Sequence, residues 1–165
     1  MKIASIIAEY NPFHKGHAYQ IKKIKSEYSD YIVVIMSGNF VQRGEPAIIN
    51  KFERAKIAVD NGASLVLELP LFYATSNAEI FARGGISILD SMDIINRLYF
   101  GSEDDASILK NLSEKIYKNL DDEKIKKFLT EGNSYIKSRE LAMDFLSDEE
   151  KEILKKPNNI LGLEY

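Results

Sequence analysis

Two histidines stand close together near the start of the chain, in the segment His14-Lys15-Gly16-His17, and the sequence contains no others. Imidazole nitrogens can donate hydrogen bonds to phosphate oxygens and stabilise charge that builds up on them in a transition state. Gly16 has no side chain and lets backbone or ligand come close, while Lys15 can add positive charge. The spacing therefore predicts an anion site, with phosphate as the expected anion.

Two other interpretations of this pair are weighed against the anion site. Two histidines three residues apart can be ordinary residues of a helix surface, but a strand before them and a helix after them favour function. Zinc needs three or four protein ligands, and the sequence shows no well-placed third ligand. We therefore assign no metal ligand.

The histidines are expected to lie between a strand and a helix. Residues 3–8 are apolar and predict a buried strand. Residues 15–28 predict an amphipathic helix, with Ile21 and Ile24 on its buried face and three lysines towards solvent: Lys22, Lys23 and Lys25. At such a junction a phosphate can meet free backbone N–H groups at the start of the helix.

Apolar runs and amphipathic stretches alternate through the first hundred residues. The runs predict strands at residues 3–8, 31–36, 65–69 and 97–100, with helices at 15–28, 52–60 and 77–91. Continuous apolarity indicates strands buried on both faces, as in a parallel sheet. The fold class is therefore α/β, a doubly wound, Rossmann-like parallel sheet. Its ligands bind beyond the carboxyl ends of the strands, so the loops that follow Ala8, Met36, Leu69 and Phe100 should share one rim.

The chain changes character after Asp104. Lys- and Glu-rich stretches predict helices at residues 108–120, 122–129, 135–145 and 148–155, and Pro157 can begin another. We expect a nucleotide-binding core at residues 1–104 and a helical extension packed on it at 105–165. The chain stops within an apparently structured segment, which predicts a truncated protein.

The amino-acid composition excludes several kinds of site and partner. The 165 residues contain no cysteine, which removes disulfides, thiolate zinc sites and a thioester route. The net charge of −3 gives no global basic field, so an RNA partner would need a local patch. We find no signal peptide and no apolar segment long enough for a bilayer. A cytoplasmic protein with no membrane partner is expected.

Charged residues outside the histidine segment have weaker assignments. Gln42, Arg43 and Glu45 follow the second predicted strand, and Arg43 is a candidate for holding phosphate or RNA backbone. Arg83 is expected to pair with a carboxylate on its helix. Glu68 interrupts an apolar strand, so it either binds a basic partner or lies at an exposed end.

Longer motifs resemble one family. H-x-G-H after the first strand is similar to the nucleotidyltransferase superfamily, of HUP type. The wider matches resemble the bacterial tRNA(Met) cytidine acetate ligase family along essentially the whole chain, in the segments EYNPFHKGH (9–17), MSGNFVQRGEPA (36–47), ELP (68–70), FARG (81–84), FGSE (100–103) and PNNILG (157–162).

The resemblance implies an activity and its partners. The family activates acetate with ATP to acetyl-adenylate and transfers the acetyl group to N4 of the wobble cytidine of elongator tRNA(Met). Mg²⁺ is expected with ATP, without an assigned protein ligand. Composition alone identifies neither acetate nor tRNA, and the oligomeric state stays open.

The resemblance also implies site residues. His14 and His17 would be catalytic. The family's ATP contacts fall on Ile7, Ala8, Glu9, Tyr10, Asn11, Pro12, Phe13, His14, Lys15, Gly16, His17, Ala18, Tyr19, Gln20, Gly101 and Asn158. As an alternative to these contacts, the sequence also allows Gly101 to be an ordinary turn glycine and Asn158 to be an asparagine at the start of a helix.

Two other functions remain open from the residues. One is a different H-x-G-H adenylyltransferase, acting on a phosphorylated small molecule. The other is a non-catalytic nucleotide- or RNA-binding fragment. Pyrophosphate release with acetate or with phosphorylated acceptors separates the acetate ligase from the other adenylyltransferase. ATP binding without pyrophosphate release identifies the non-catalytic fragment.

The family pattern predicts limited activity for this chain alone. The family continues into a region with a serine/threonine and arginine segment, which resembles a second phosphate-binding motif of the superfamily. Nothing in the 165 residues matches it. We expect the chain to bind ATP weakly and not to complete tRNA acetylation. Normal turnover in a tRNA acetylation assay would refute this.

Overall fold

A four-stranded parallel sheet forms the first part of the structure, a computed structural model that describes residues 1–165 apart from the side chain of Arg43. Its strands are β1 (Ile3–Ala8), β2 (Tyr31–Ser37), β3 (Leu65–Leu69) and β4 (Arg97–Leu98). β1 and β2 are buried on both faces. The predicted parallel α/β fold is confirmed, although β4 is shorter than the predicted 97–100.

The order of the strands is β3-β2-β1-β4. The chain therefore runs outward from β1 through β2 to β3 and then returns to the other side of β1. In a doubly wound sheet this reversal opens a crevice at the carboxyl ends of the two diverging strands. Here those strands are β1 and β4, so the segments that follow Ala8 and Leu98 border the crevice.

Helices cover both faces of the sheet. They are α1 (Lys15–Glu27), α2 (Lys51–Asp60), α3 (Leu71–Ala74) and α4 (Ala78–Ser91), with a 3₁₀ turn at Gln42–Gly44. α1 and α2 share one core cluster with the sheet, through residues such as Ile21, Ala58 and Val34. On the opposite face α4 approaches Ile7 of β1.

Two glycines make the contact between α4 and its neighbours possible. Glycine inside a helix is ordinarily destabilising, but Gly84 and Gly85 are both buried. A Cβ at Gly84 would lie 2.3 Å from Cγ of Tyr73, and one at Gly85 would lie 2.6 Å from Cδ1 of Ile7. These positions exclude a side chain because backbone and neighbour pack directly.

The chain divides into two units, Met1–Gly101 with Glu164–Tyr165 and Ser102–Leu163. The second unit is helical, with α5 (Ala106–Asn119), α6 (Asp122–Thr130), α7 (Tyr135–Ala142), α8 (Asp148–Ile153) and α9 (Pro157–Glu164). Its core contains Leu112, Ile116, Met143 and Leu146. Predicted bounds differ from these by a few residues, and α7 ends earlier than predicted. In the part of the chain that the structure describes, no helix combines the length and apolarity needed to cross a membrane.

Arg54 of α2 is fully buried and joins two neighbouring segments of the rim. Its Nε donates to the carbonyl of Ile49 at 2.9 Å, and its two terminal nitrogens donate to the carbonyls of Glu9 and Gly38. Burial lowers the pKa of Arg54, while Glu9 and Glu68 oppose that shift. An arginine stays charged even so. The guanidinium therefore fastens the end of β1 to the loop after β2.

Replacing this guanidinium should destabilise the chain. We expect Arg54→Met to lower the free energy of unfolding by about 3 kcal/mol, because buried carbonyls lose a charged donor. Arg54→Lys should be intermediate, since an ammonium keeps the charge but lacks the planar fork. Urea denaturation measures both.

Lys56→Met is the matched control for this substitution. Lys56 lies on the same helix but is exposed and pairs with Asp60. Such a pair contributes about 0.5 kcal/mol or less. If Arg54→Met were as stable as Lys56→Met, the anchoring role would be wrong.

Candidate functional site

The junction between β1 and α1 is closed by the two histidines themselves. His14 is the N-cap of α1, and its Nδ1 accepts the backbone N–H of Gly16 at 3.1 Å. In return, Nδ1 of His17 accepts the backbone N–H of His14 at 3.2 Å. This reciprocal pair is a capping box, a role that Ser or Thr with Glu or Gln usually performs.

The capping bonds determine which nitrogen of each neutral ring carries hydrogen. A neutral imidazole has one donor and one acceptor nitrogen, and here Nδ1 accepts in both rings. The hydrogens of His14 and His17 therefore sit on Nε2. The two rings stack, with centroids 3.6 Å apart and planes 21° apart. The junction thus presents two Nε2–H donors side by side, which suits the oxygens of one anion.

Gly16 is needed by the ring of His14. A Cβ at Gly16 would lie 3.0 Å from Cε1 and 3.1 Å from Nδ1 of His14. The imidazole can fold back over the helix start only because position 16 has no side chain. The glycine of the H-x-G-H spacing therefore has a steric role inside the chain, beside the ligand approach that the sequence suggests.

The prediction of free backbone N–H groups at this helix start is wrong for several of them. The N–H of Gly16 donates to His14 Nδ1, and that of His14 donates to His17 Nδ1. The N–H groups of His17 and Ala18 donate to the carbonyl of His14 at 3.0 and 3.2 Å. Because the side-chain cap and the carbonyl of His14 use these donors, the imidazole Nε2–H groups become the main candidates for contact with an anion.

His17 is packed against aromatic rings. Its ring centroid lies 4.8 Å from that of Tyr10 and 5.4 Å from that of Phe13. Burial, followed by the neighbouring His14, lowers the pKa of His17 from its usual 6.5 to about 4. His17 is therefore neutral at physiological pH, and His14 is the exposed member of the pair.

Tyr10 packs against the ring of His17. It is 1% exposed, and its backbone has a positive φ of 49°. Its hydroxyl has no hydrogen-bond partner among the described residues, and burial raises its pKa, so the phenol stays protonated. The strained backbone places this ring where it fixes the orientation of the His17 imidazole.

The residues on either side of Tyr10 hold the loop that follows β2. A carboxylate oxygen of Glu9 accepts the backbone N–H of Gln42 at 2.7 Å. The side-chain oxygen of Asn11 accepts the backbone N–H of Ile48 at 2.8 Å. These two polar groups therefore shape the rim through contacts within the chain.

Gly101 follows β4 on the far side of the crevice. Ser5 pairs with Leu98, and the N–H of Tyr99 donates to the carbonyl of Ser5 at 2.8 Å. A Cβ at Gly101 would meet nothing within 4 Å, so packing within the chain does not explain this glycine.

An aromatic pair stands next to Gly101. The rings of Phe100 and Tyr165 have centroids 5.6 Å apart. Burial, and then Glu9, raise the pKa of the Tyr165 hydroxyl. Glu9, Phe100 and Tyr165 thus border the same crevice between β1 and β4.

Asn158 lies in the second unit, at the start of α9, where its amide donates to Glu103 at 2.9 Å. Its neighbour Asn159 is fully buried and joins Asp104 and Ile153 by further hydrogen bonds. Two of the quoted motifs, at residues 100–103 and 157–162, therefore meet through Glu103. The helix-start interpretation of Asn158 accounts for this contact.

The remaining predicted residues are placed as follows. Of the ATP stretch, Lys15 and Tyr19 are exposed and Gln20 is half-buried on α1. Glu68 pairs with Lys51 at 2.6 Å, which satisfies the expected basic partner. Arg83 is exposed on α4, and the assignment for the Arg43 side chain lies outside the described residues.

Sequence reasoning missed Arg54. The available signal was its position on α2, four residues before Ala58, because residues i and i+4 share one helix face. Both are buried. Its carbonyl partners lie after β1 and in the loop between β2 and α2, and no periodicity reveals them.

Among the residues that the structure describes, no group of three His, Cys, Asp or Glu is placed to hold a metal ion. The two imidazoles alone fall short of the ligand number of a protein metal site. The groups that the junction offers to a ligand are the Nε2–H donors of the two imidazoles.

Comparisons with known proteins agree with this geometry. A profile of the family "HIGH Nucleotidyl Transferase" matches residues 1–165, so the chain belongs to the HIGH nucleotidyl transferase family. Within it, the chain is 51% identical over its full length to the tRNA(Met) cytidine acetate ligase of Caldicellulosiruptor saccharolyticus and 49% identical to that of Clostridium novyi. It spans 42% and 43% of those two relatives.

Solved structures of one relative show the same fold. Thermotoga maritima TmcAL bound with alpha-thio ATP matches with a TM-score of 0.83, and its apo form with 0.84, both at 39% identity. Each match covers 100% of this chain and 42% or 41% of the other. The predicted resemblance to the tRNA(Met) cytidine acetate ligases is confirmed.

The depressed pKa of His17 predicts how stability depends on pH. The unfolded chain binds this proton near 6.5, whereas the folded chain binds it only near 4. The free energy of unfolding should therefore fall as the pH is lowered through that window, and His17 should contribute no further change below it. Urea denaturation between pH 7 and pH 4 measures the effect.

His17→Asn is the matched variant, since its amide oxygen can take the place of Nδ1 as acceptor. It should show a shallower pH dependence over the same window. An NMR titration of the parent gives a direct check, and a His17 midpoint near 6.5 would contradict the buried, neutral imidazole.

Proposed function

We propose that the chain carries the ATP-binding site of a tRNA(Met) cytidine acetate ligase, with the polyphosphate on His14 and His17. The observation that carries this proposal is the pair of stacked imidazoles whose Nδ1 atoms accept the helix-capping bonds, so that the Nε2–H of each ring is left as a donor. The first unit, with residues 7–20 and Gly101 around the crevice, is proposed as the nucleotide-binding core. The relative TmcAL was crystallised with an ATP analogue, which supports the ligand.

The proposed reaction begins with acetate activation. A carboxylate oxygen of acetate attacks the α-phosphorus of ATP and forms a new P–O bond. The bond from the α-phosphorus to the oxygen that bridges it to the β-phosphate breaks, and pyrophosphate leaves with that electron pair. The products are acetyl-adenylate and pyrophosphate.

Two neutral histidines suit this step. Such transfers depend on positioning and on stabilisation of charge at the phosphate oxygens more than on covalent help. The Nε2–H groups of His14 and His17 are fixed by the capping bonds, so they need no reorganisation during the reaction. Because His17 has a pKa of about 4, it acts as a hydrogen-bond donor and does not supply a proton at neutral pH.

The second step transfers the acetyl group. The N4 amine of the wobble cytidine attacks the acetyl carbonyl, AMP leaves, and N4 loses a proton. The chain has no cysteine, so the acetyl group passes from the adenylate to the RNA without a thioester on these residues. Mg²⁺ accompanies ATP in this proposal and receives no protein ligand.

Gly101 and Asn158 are proposed as further nucleotide contacts. The open space at Gly101 supports close approach of the nucleotide on the β4 side of the crevice. Asn158 can contact a ligand only through the part of its amide that the bond to Glu103 leaves available.

Calorimetry with ATP tests the phosphate site. The His14→Asn, His17→Asn double variant retains acceptor oxygens for the helix cap but lacks Nε2–H at its normal position. We expect ATP to bind the parent and at least tenfold more weakly to the variant, since a hydrogen bond to a charged group contributes about 1.5–3 kcal/mol.

Lys56→Ala is the control for the calorimetry, because it changes an exposed residue on α2. It should bind ATP like the parent. Equal ATP affinity in the parent and the double variant would contradict the proposed site.

An adenylate analogue tests the acid that is activated. 5′-O-(N-acetylsulfamoyl)adenosine mimics acetyl-adenylate and needs no catalysis in order to bind. We expect it to compete with ATP and to bind more tightly than AMP, since it adds the acetyl group. Equal affinity for AMP and the analogue would count against acetate and favour an adenylyltransferase with another acceptor.

A further inference from the structure

Tyr28, the C-cap residue of α1, carries two cations over its ring. Cζ of Arg97 lies 4.3 Å from the ring centroid, and Nζ of Lys2 lies 5.2 Å from it. Tyr99 stands beside Tyr28, with ring centroids 5.9 Å apart. We call Lys2, Tyr28, Arg97 and Tyr99 the strand-start patch, since β1 and β4 begin there.

The backbone beneath the patch is held rigidly. The hydroxyl of the buried Ser29 donates to the carbonyl of Lys2. The N–H of Ile3 donates to the side chain of Asn96 at 2.8 Å, and Arg97 pairs with Ala4 in the sheet. Both cations therefore extend from fixed positions, and the tyrosine further restricts their side chains.

The two cations of the patch are exposed, and neither forms an ion pair in the part of the chain that the structure describes. Lysines of the second unit differ, because many of them face carboxylates: Lys115 with Glu150, Lys124 with Asp144, Lys126 with Glu123, Lys137 with Glu140, Lys155 with Glu152 and Lys156 with Asp104. The positive charge of the patch is thus available to a polyanion, whereas much of the charge on the second unit is neutralised.

Further cations extend the same surface. α1 carries three exposed lysines, Lys22, Lys23 and Lys25. Two exposed acidic residues, Glu27 and Asp30, follow them along the chain. By formal charge the first unit is neutral, and the −3 of the chain comes from the second unit. A polyanion would therefore be attracted by local groups such as this patch and not by the chain as a whole.

We propose that the strand-start patch binds the sugar–phosphate backbone of RNA, which rests on the proposed function. Arginine and lysine are the main phosphate contacts in nucleic-acid recognition, and arginine suits the two oxygens of one phosphate. The half-buried rings of Tyr28 and Tyr99 beside the cations offer aromatic surface to ribose and bases. RNA thus uses both the charge and the aromatic surface of the patch.

The patch lies at the opposite end of β1 from the histidines. β1 has six residues, so the two ends are roughly 20 Å apart at about 3.3 Å per residue. Substitutions in the patch should therefore leave ATP binding unchanged. An RNA that places one nucleotide at the histidine rim can reach the patch with another part of its backbone.

Fluorescence anisotropy with labelled elongator tRNA(Met) tests the patch, using the full chain over a range of salt concentrations. The test variant is Lys2→Glu, Arg97→Glu. The matched control is Lys126→Glu, Lys155→Glu, which makes the same change in charge at exposed sites of the second unit. Lys2→Gln, Arg97→Gln provides a milder pair, and circular dichroism verifies that every variant is folded.

We expect the test variant to bind tRNA at least tenfold more weakly than the parent and the control less than threefold more weakly. The slope of log affinity against log salt should fall by about 2 in the test variant, one unit for each lost phosphate contact. The Gln pair should show a smaller loss of affinity in the same direction.

Three results would overturn the proposal: no tRNA binding by the parent, equal binding by parent and test variant, or equal losses in test variant and control. ATP calorimetry on the same proteins separates this proposal from the proposed function. Loss of tRNA binding only in the patch variants, in a chain that does not bind ATP, would support the patch and reject the ATP site.

Discussion

The buried guanidinium of Arg54 is the interaction on which the candidate site depends. It holds the carbonyl of Glu9 at the end of β1 and those of Gly38 and Ile49 in the loop between β2 and α2, and so joins two segments that follow neighbouring strands. A buried charge is costly unless hydrogen bonds compensate it, and here every branch of the guanidinium has a carbonyl acceptor. Because Glu9 directly precedes Tyr10, this anchor also sets the starting position of the loop that carries the histidines.

In the loop that follows this anchor, one nitrogen of each imidazole stabilises the fold and the other is left to contact a ligand. The Nδ1 atoms of His14 and His17 close the start of α1, and their Nε2–H groups remain for a ligand. Gly16 leaves room for the ring of His14, and Tyr10 supports the ring of His17. The capping box therefore makes the donors rigid, which is why histidine at both positions serves structure and phosphate binding together.

Local patterns predict the framework of the fold but not its contacts over long distances. Apolar runs predicted all four strands, and the continuous runs of β1 and β2 reflect burial on both faces of a parallel sheet. The short helix α3 was missed because it has a single turn. The role of Gly84 and Gly85 lies in close packing against Tyr73 and Ile7, which no helical periodicity encodes.

For the candidate site too, local patterns were predicted from the sequence and long-range contacts were not. The histidine pair and its place at the first crossover followed from residue type and spacing. The occupied N–H groups at the helix start did not, since they depend on the rotamers of His14 and His17. Arg54 escaped attention because its acceptors are backbone carbonyls, which every residue possesses. The family resemblance supplied acetate and tRNA, and the geometry supplies the reason for two neutral histidines.

The most direct test of this account is a long-range ¹H–¹⁵N correlation spectrum of the imidazoles, recorded at pH 7 with and without ATP. The account predicts that both imidazoles of the free chain carry hydrogen on Nε2 and that the buried ring of His17 is neutral. It also predicts that ATP shifts both Nε2 resonances while the Nδ1 resonances keep their acceptor character. Saturation with ATP that leaves the Nε2 resonances unmoved, or hydrogen on Nδ1 in the free chain, would contradict it.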